Sequence, residues 1–153
     1  MSCAKPWDSH VENVTAHPQN GPVYDITVAA LQEDLANRGL LENTLVIIGG
    51  EVGRTPRIND KAGRDHWASC YTTVLAGGGV KPGIILGSID ALAELPKDRP
   101  IFQQAIMATM YHLLVVYYTK IYINEPTRPV QLEQNGKPIS ESFSAFTLWT
   151  RCM

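Results

Sequence analysis

Residues 44–67 read TLVIIGGEVGRTPRINDKAGRDHW, and this segment sets the expected fold class. It opens with the unbroken apolar run of residues 45–48, which is typical of a strand covered on both faces, as in a parallel sheet. Two glycines end the run, and Glu51 follows at the predicted carboxyl end of the strand. Because ligands collect at the carboxyl ends of strands in open α/β sheets, Glu51 is a candidate functional residue.

The segment before this strand predicts a helix that begins at Asp25 and ends at Arg38. Apolar residues recur along it at helical spacing, namely Val28, Leu31 and Leu35. Gly39 follows and suits the left-handed conformation that commonly ends a helix. The order of helix and then strand supports an α/β class.

The segments after residue 67 continue the same alternation. Residues 71–76 predict a second buried strand, and residues 102–114 predict a second helix. Residues 117–123 are strand-like, and residues 127–139 indicate a loop or hairpin with Gly136 in the turn. We therefore expect an α/β fold with a mostly parallel sheet and flanking helices.

Composition excludes several classes of partner. The 153 residues carry a net charge of −2, with 44% apolar and 18% charged residues, which is typical of a globular domain. No basic stripe is present, so we expect no nucleic-acid partner. The longest apolar stretch, residues 113–118, is too short to span a membrane, and no export signal is expected. The localisation therefore stays open.

The loop after the first strand combines carboxylate, imidazole and guanidinium groups. Glu51 and His66 are suitable ligands for Zn²⁺ or Mn²⁺, and Asp65 would bind the ion directly or orient a ligand. Arg54 and Arg64 suit an anionic substrate group such as phosphate or sulfate. The spacing supports a metal site and a structural loop equally. In the structural loop, Arg54 would pair with Glu51 and Arg64 with Asp65.

A second pair of candidate ligands lies near the N-terminus. If residues 7–11 are extended, Asp8 and His10 face the same side and make a workable pair of metal ligands. From these residues alone, a polar terminus without a site is the favoured alternative.

Several motifs occur together in one order. They are WDSH at residues 7–10, GEVGRTP at 50–56, GRDHW at 63–67, LAGGGV at 75–80, DRP at 98–100, YH at 111–112 and GKPI at 136–139. In this order the chain resembles domain of unknown function 1501, a family of the alkaline phosphatase and sulfatase superfamily. The resemblance implies an α/β sandwich with a metal centre at the strand ends, usually of two ions, that hydrolyses phosphate or sulfate esters.

The same resemblance implies roles for individual residues. Glu51 corresponds to the acidic ligand at the strand end, His66 to the late histidine ligand, and Asp8 and His10 to the earlier pair. The family is longer at its N-terminus, where its first strand presents another ligand and the nucleophile. Val11 also stands where the family usually has glycine, and residues 115–118 lack the usual turn.

The chain therefore resembles the C-terminal portion of such a domain, residues 1–139, followed by a divergent tail at 140–153. We expect a metal-dependent phosphate- or sulfate-ester hydrolase-like domain that is weakly active or inactive alone. The alternatives are a non-catalytic module that binds a metal or an anion, and a truncated product without independent function.

Two structural expectations follow from this interpretation. A sheet without its first strands would expose an edge and apolar area, so we expect self-association or marginal stability as a monomer. We also expect the Glu51 carboxylate and the His66 imidazole to face one pocket, with Arg54 or Arg64 at its rim. Asp8 and His10 are expected to be held less firmly, because they lie near the N-terminus.

Overall fold

The computed structural model describes residues 7–124, 128–133 and 135–143. The elements in this part of the chain are, in order, α1 (Asn13–Asn37), a 3₁₀ turn (Leu41–Asn43), β1 (Leu45–Ile48), β2 (Gly53–Arg54), β3 (His66–Trp67), β4 (Val74–Gly77), β5 (Ser88–Ile89), β6 (Pro96–Asp98), α2 (Gln103–Leu113), β7 (Ile121–Asn124), β8 (Arg128–Gln131) and a 3₁₀ turn (Ser140–Ser142). The strands form four two-stranded antiparallel pairs, β1 with β4, β2 with β3, β5 with β6 and β7 with β8.

The expected mostly parallel sheet is therefore wrong. β1 pairs antiparallel with β4, with Leu45 opposite Gly77 and Ile48 opposite Val74. A parallel pair needs a crossover connection, usually a helix, but the chain between β1 and β4 contains only the short β2–β3 pair. The chain therefore returns antiparallel, and the sandwich with flanking helices is not the architecture of the described residues. Burial of β1 on both faces is wrong too, since Ile47 is 40% exposed.

The first helix begins well before the predicted start at Asp25. α1 starts at Asn13 and includes Pro18 and Pro22. A proline inside a helix removes a backbone hydrogen bond and costs about 3 kcal/mol, so the local sequence argues against helix here. Contacts with the preceding segment stabilise these turns instead. The indole ring of Trp7 packs edge-on against the imidazole ring of His17 on α1, at a centroid distance of 5.5 Å.

The end of α1 is as predicted. Gly39 has a φ angle of +68°, in the left-handed region that favours glycine. The N–H of Leu40 donates to the carbonyl of Leu35 at 2.8 Å, which satisfies a carbonyl of the last helical turn. The predicted apolar stripe, in contrast, is only partly covered, because Leu31 is exposed.

The second helix confirms its prediction and lies in the apolar core. The buried apolar side chains of the described residues are Ala16, Ala108, Leu113, Ile139 and Phe143, and four of these five lie on α2 or on the segment near residue 140. Buried Thr109 joins the two, since its hydroxyl donates to the Ala105 carbonyl at 2.7 Å and accepts the Ile139 N–H at 2.9 Å. We call Ala108, Leu113, Ile139 and Phe143 the α2 cluster.

Of the strand-like residues 117–123, only residues 121–123 lie in a strand, β7, which pairs antiparallel with β8, whereas residues 118–120 form a turn. Gly136 lies beyond this hairpin, close to the carbonyl of Gln104. Of the predicted divergent tail, the structure describes only residues 140–143, and the rest lies outside the described residues.

Much apolar surface remains exposed in the described part of the chain. Ile121 and Ile123 of β7 are two examples. Self-association through an exposed edge is compatible with this surface and stays a prediction. Neither α1 nor α2 is long and apolar enough to cross a membrane.

Candidate metal centre

The β2–β3 pair brings the two ends of the long loop together. Arg54 of β2 lies directly opposite His66 of β3, so their side chains project from the same face. The Thr55 N–H donates to the Asp65 carbonyl at 2.8 Å, and the Asp65 N–H donates to the Thr55 hydroxyl at 3.1 Å. The loop is therefore closed at its base, and His66 is held next to Arg54.

The N-terminal segment packs against this loop. The Arg64 N–H donates to the Ser9 carbonyl at 3.1 Å, and the Asn59 side chain donates to the His10 carbonyl at 3.1 Å. Gly63 approaches so closely that a Cβ atom there would overlap the His10 carbonyl group. The segment is thus fixed by backbone contacts over its length.

Helix α1 holds the same segment from the other side. Ser9 is buried, and its hydroxyl donates to Asn13 Oδ1 at 2.7 Å and lies 3.2 Å from His17 Nε2. The flanking side chains, Asp8 and His10, are left to face the loop. They are therefore held more firmly than proximity to the N-terminus predicts.

Asp8, His10 and His66 form a compact group. Asp8 Oδ1 lies 3.1 Å from His10 Nε2 and 3.2 Å from His66 Nε2. One ligand atom from each residue lies within 4.8 Å of the others. The side chains are open to solvent, with exposed fractions of 55% for Asp8, 43% for His10 and 51% for His66. The group is therefore accessible to a cation from solution.

Asp65 fixes the orientation of the His10 ring. His10 Nδ1 lies 2.8 Å from Asp65 Oδ1. An ionised carboxylate only accepts hydrogen bonds, so Nδ1 carries the proton and donates it. Nε2, on the other side of the ring, lies 3.1 Å from Asp8 Oδ1 and is the nitrogen that a bound cation would use. Metal-binding histidines usually show this arrangement, in which a carboxylate holds the other nitrogen.

Hydrogen bonds keep both carboxylates ionised. The Arg54 guanidinium donates to Asp8 Oδ1 and lowers the pKa of Asp8 below its ordinary value, and the bond from His66 adds to this effect. The hydrogen bond from His10 lowers the pKa of Asp65, and the bond from Asn59 adds to it. Both groups therefore carry their negative charge at neutral pH.

The two arginines have different surroundings. Arg54 donates to Asp8 and, through Nη1, to the Arg64 carbonyl at 3.2 Å. Arg64 donates from Nε to the Thr55 carbonyl at 2.5 Å and from Nη2 to the Arg54 carbonyl at 3.3 Å. Among the described residues, neither the Arg54–Glu51 pair nor the Arg64–Asp65 pair of the structural alternative forms. Arg64 instead stabilises the loop through its hydrogen bonds to backbone carbonyls.

A family model described as "Protein of unknown function (DUF1501)" matches residues 2–143. The chain belongs to the DUF1501 family. No curated protein and no solved structure matches it. The match confirms the resemblance to DUF1501, and the assignment to the alkaline phosphatase and sulfatase superfamily stays a prediction. The family description states no activity, so it leaves the chemistry of the group to be argued from the residues themselves.

Glu51 of the DUF1501 chain lies apart from the group. It is exposed in a bend after β1, and its carboxylate makes no hydrogen bond or ion pair with the other described residues. A cleft of about 410 Å³ beside the group is lined by His10 and Asp65 but not by Glu51 or His66. The structure thus brings four of the five predicted metal-site residues together, and the role of Glu51 stays a prediction.

Three residues of the DUF1501 site carry no signal of chemistry in the sequence. Thr55 closes the loop, Ser9 anchors the N-terminal segment, and Asn59 contacts both His10 and Asp65. The available sequence signal is the position of Asn59 four residues before Gly63, since asparagine favours tight turns. Their partners lie far away in sequence, so spacing does not reveal them.

The donor set fits a divalent cation. Zinc ligands lie about 2.0–2.2 Å from the ion, so donors that share one ion are roughly 3–4 Å apart. The distances of 3.1 Å and 3.2 Å from Asp8 Oδ1 are in this range. Two imidazoles and one carboxylate are also a donor set that Zn²⁺ accepts, with a further coordination position left for water or substrate.

Proposed function

We propose that Asp8, His10 and His66 of this DUF1501 chain bind a divalent cation, Zn²⁺ or Mn²⁺. We further propose that the chain is the metal-binding portion of a phosphate- or sulfate-ester hydrolase-like domain. The observation that carries the proposal is the position of Asp8 Oδ1 beside the Nε2 atoms of two histidines. The motif resemblance to alkaline phosphatases and sulfatases supports the reaction class.

The residues of the chain would have different roles at such a site. The cation supplies a Lewis acid that polarises an ester oxygen. Asp65 holds the His10 ring so that Nε2 faces Asp8. Arg54 places a guanidinium next to the group, where it suits the oxygens of a phosphate or sulfate. Arg64 is the weaker candidate for this role, because its guanidinium donates to backbone carbonyls.

Calorimetric titration of the metal-free protein with Zn²⁺ and with Mn²⁺ tests the site. We expect His10→Ala and His66→Ala each to weaken binding by more than the 10- to 100-fold typical of residues that only orient a ligand. The matched control is His112→Ala, since His112 lies on α2 and stacks on Phe143. Wild-type affinity in both His10→Ala and His66→Ala would overturn the site.

The same titration decides the role of Glu51. Glu51→Ala should also weaken binding if this carboxylate is a ligand, as the family resemblance implies. Unchanged affinity would leave the site with Asp8 and the two histidines. Glu51 is not among the three residues whose ligand atoms lie together, so this comparison is informative.

The exposure of the three ligands favours a second candidate function, a non-catalytic metal-binding module. Enzymes usually exclude water from the reacting centre, whereas these side chains are about half exposed. Metal-loaded protein should be assayed with an aryl phosphate and an aryl sulfate. Turnover that disappears in His66→Ala supports the hydrolase, and tight metal binding without turnover supports the module.

A further inference from the structure

Asn59 makes hydrogen bonds with both ends of its side chain. Its Nδ2 group donates to the His10 carbonyl and to Asp65 Oδ2, each at 3.1 Å. Its Oδ1 atom accepts the N–H groups of Lys61 at 3.0 Å and Gly63 at 2.9 Å. A side-chain amide has two donor hydrogens and two acceptor lone pairs, so these four bonds use its full capacity.

The partners also fix which way the amide points. The two groups beside Nδ2, a carbonyl and a carboxylate, only accept hydrogen bonds, and the two beside Oδ1 are backbone donors. A reversed amide would place like groups against each other at all four positions. Asn59 therefore has one orientation that satisfies its surroundings.

The Nδ2 group of Asn59 acts on His10 by two routes. The bond to the His10 carbonyl holds the backbone of the ligand. The bond to Asp65 Oδ2 turns the carboxylate so that its other oxygen, Oδ1, meets His10 Nδ1 at 2.8 Å. One side chain thus constrains both the backbone position of His10 and the orientation of its ring.

We propose that Asn59 is a positioning residue, which holds the His10 ring with Nδ1 against Asp65 and Nε2 beside Asp8. As far as metal affinity is concerned, this inference rests on the proposed function. The orientation of the ring is a property of the metal-free chain. The positioning role of Asn59 and the metal site can therefore be refuted separately.

The first test compares Zn²⁺ affinity in Asn59→Ser, Asp65→Asn and the double variant. A serine hydroxyl can still accept backbone N–H groups in a turn. Its side chain is too short to replace the bonds of the amide to the His10 carbonyl and to Asp65. We expect each single change to weaken binding by about 10- to 100-fold. The double variant should be about as weak as the weaker single variant, because both residues act through one ring.

The matched control is Asn43→Ser, in the exposed 3₁₀ turn before β1, which should bind Zn²⁺ like the wild type. If Asn59→Ser does not fold, Asn59→Asp replaces it. Aspartate keeps the acceptor for Lys61 and Gly63 and removes both donated bonds. Its added negative charge would by itself strengthen cation binding, so weaker binding identifies the lost hydrogen bonds. Wild-type affinity in the folded Asn59 variant, or losses that multiply in the double variant, would overturn the proposal.

The second test needs no metal. Ring ¹⁵N chemical shifts of His10, measured at the same pH in the metal-free wild type and variant, report the hydrogen bonds of its two nitrogens. We expect the Nδ1 shift to change in the Asn59 variant, because Asp65 is no longer held against this nitrogen. Unchanged ring shifts would refute the positioning role. Changed ring shifts in the variant, with no Zn²⁺ binding by the wild type, would refute the metal site and leave the positioning role standing.

Discussion

The candidate metal centre and the α2 cluster are held together in different ways. The centre consists of half-exposed polar side chains from distant segments, joined by hydrogen bonds. The α2 cluster consists of apolar side chains that are at most 8% exposed, joined by burial. The geometry of the centre therefore depends on individual donors, acceptors and close backbone contacts. Stability depends more on the α2 cluster, where area is removed from water. Substitutions in the two regions should separate these properties.

Gly63→Ala should have the largest effect, because it damages the centre through the backbone. The added Cβ would overlap the His10 carbonyl, and neither backbone segment can move without breaking the loop contacts. We expect a loss of about 4 kcal/mol or more in the free energy of unfolding, with loss of Zn²⁺ binding. Urea unfolding and calorimetry measure both.

The matched control for this change is Gly21→Ala. Gly21 lies inside α1 with open space around its Cβ position. Alanine there should raise stability by up to about 1 kcal/mol. A Gly63→Ala protein as stable as the wild type would show that the close approach to His10 is not required.

Leu113→Ala should have the next largest effect and leave the centre intact. Leu113 is 5% exposed in the α2 cluster, so truncation leaves a cavity. We expect the free energy of unfolding to fall by about 3 kcal/mol, while the Zn²⁺ affinity of the folded protein stays unchanged. Its neighbour Leu114 is 57% exposed, and Leu114→Ala should change stability by no more than about 0.5 kcal/mol. Equal effects at the two positions, or a weaker metal site, would contradict the division between the regions.

Arg54→Met should have the smallest effect and concerns charge. The Arg54 hydrogen bond is the main cause of the lowered pKa of Asp8, so its removal should raise that pKa toward 3.8. A lowered pKa in the folded state contributes stability above the unfolded value, and this contribution is lost as pH falls through the folded value. In the variant this contribution should be smaller, and its loss should be complete at a higher pH.

The measurement is a ¹³C titration of the side-chain carboxyl groups in metal-free protein. Asp65 is the internal control, because its pKa is lowered chiefly by His10 and then by Asn59. A raised pKa for Asp8 alone is expected. No change at Asp8 would mean that Arg54 does not hold this carboxylate.

The motifs predicted which residues the structure brings together better than the local pattern predicted the fold around them. Asp8, His10 and His66 lie together, whereas Glu51, which was predicted with them, is not in the group, and their role as metal ligands stays a prediction. The direction of β1 was not predictable from its apolar run, because burial demands apolar residues whether the partner strand is parallel or antiparallel. Pro18 and Pro22 argued for a late start of α1, and contacts with Trp7 and Ser9 outweighed them.

The hydrogen bonds that hold the centre in place were not predicted, for another reason. Asn59 is an ordinary loop residue by composition, and its importance comes from His10, which is 49 residues away. Similarly, the pairing of Arg54 with Asp8 instead of Glu51 depends on how the N-terminal segment folds back. Such contacts follow from tertiary packing and have no local signature.

The distance along the chain between the members of the centre has a consequence for folding kinetics. Asp8 and His66 are 58 residues apart, and His10 and Asp65 are 55 apart. A short hairpin such as β7–β8 closes within about 1–10 μs, whereas contacts at long separation must first overcome the entropy of closing a long loop. Asp8, His10 and His66 should therefore meet only after the local elements have formed. If the proposed site binds a cation, the cation would bind at the end of folding and would stabilise the finished structure without guiding the chain toward it.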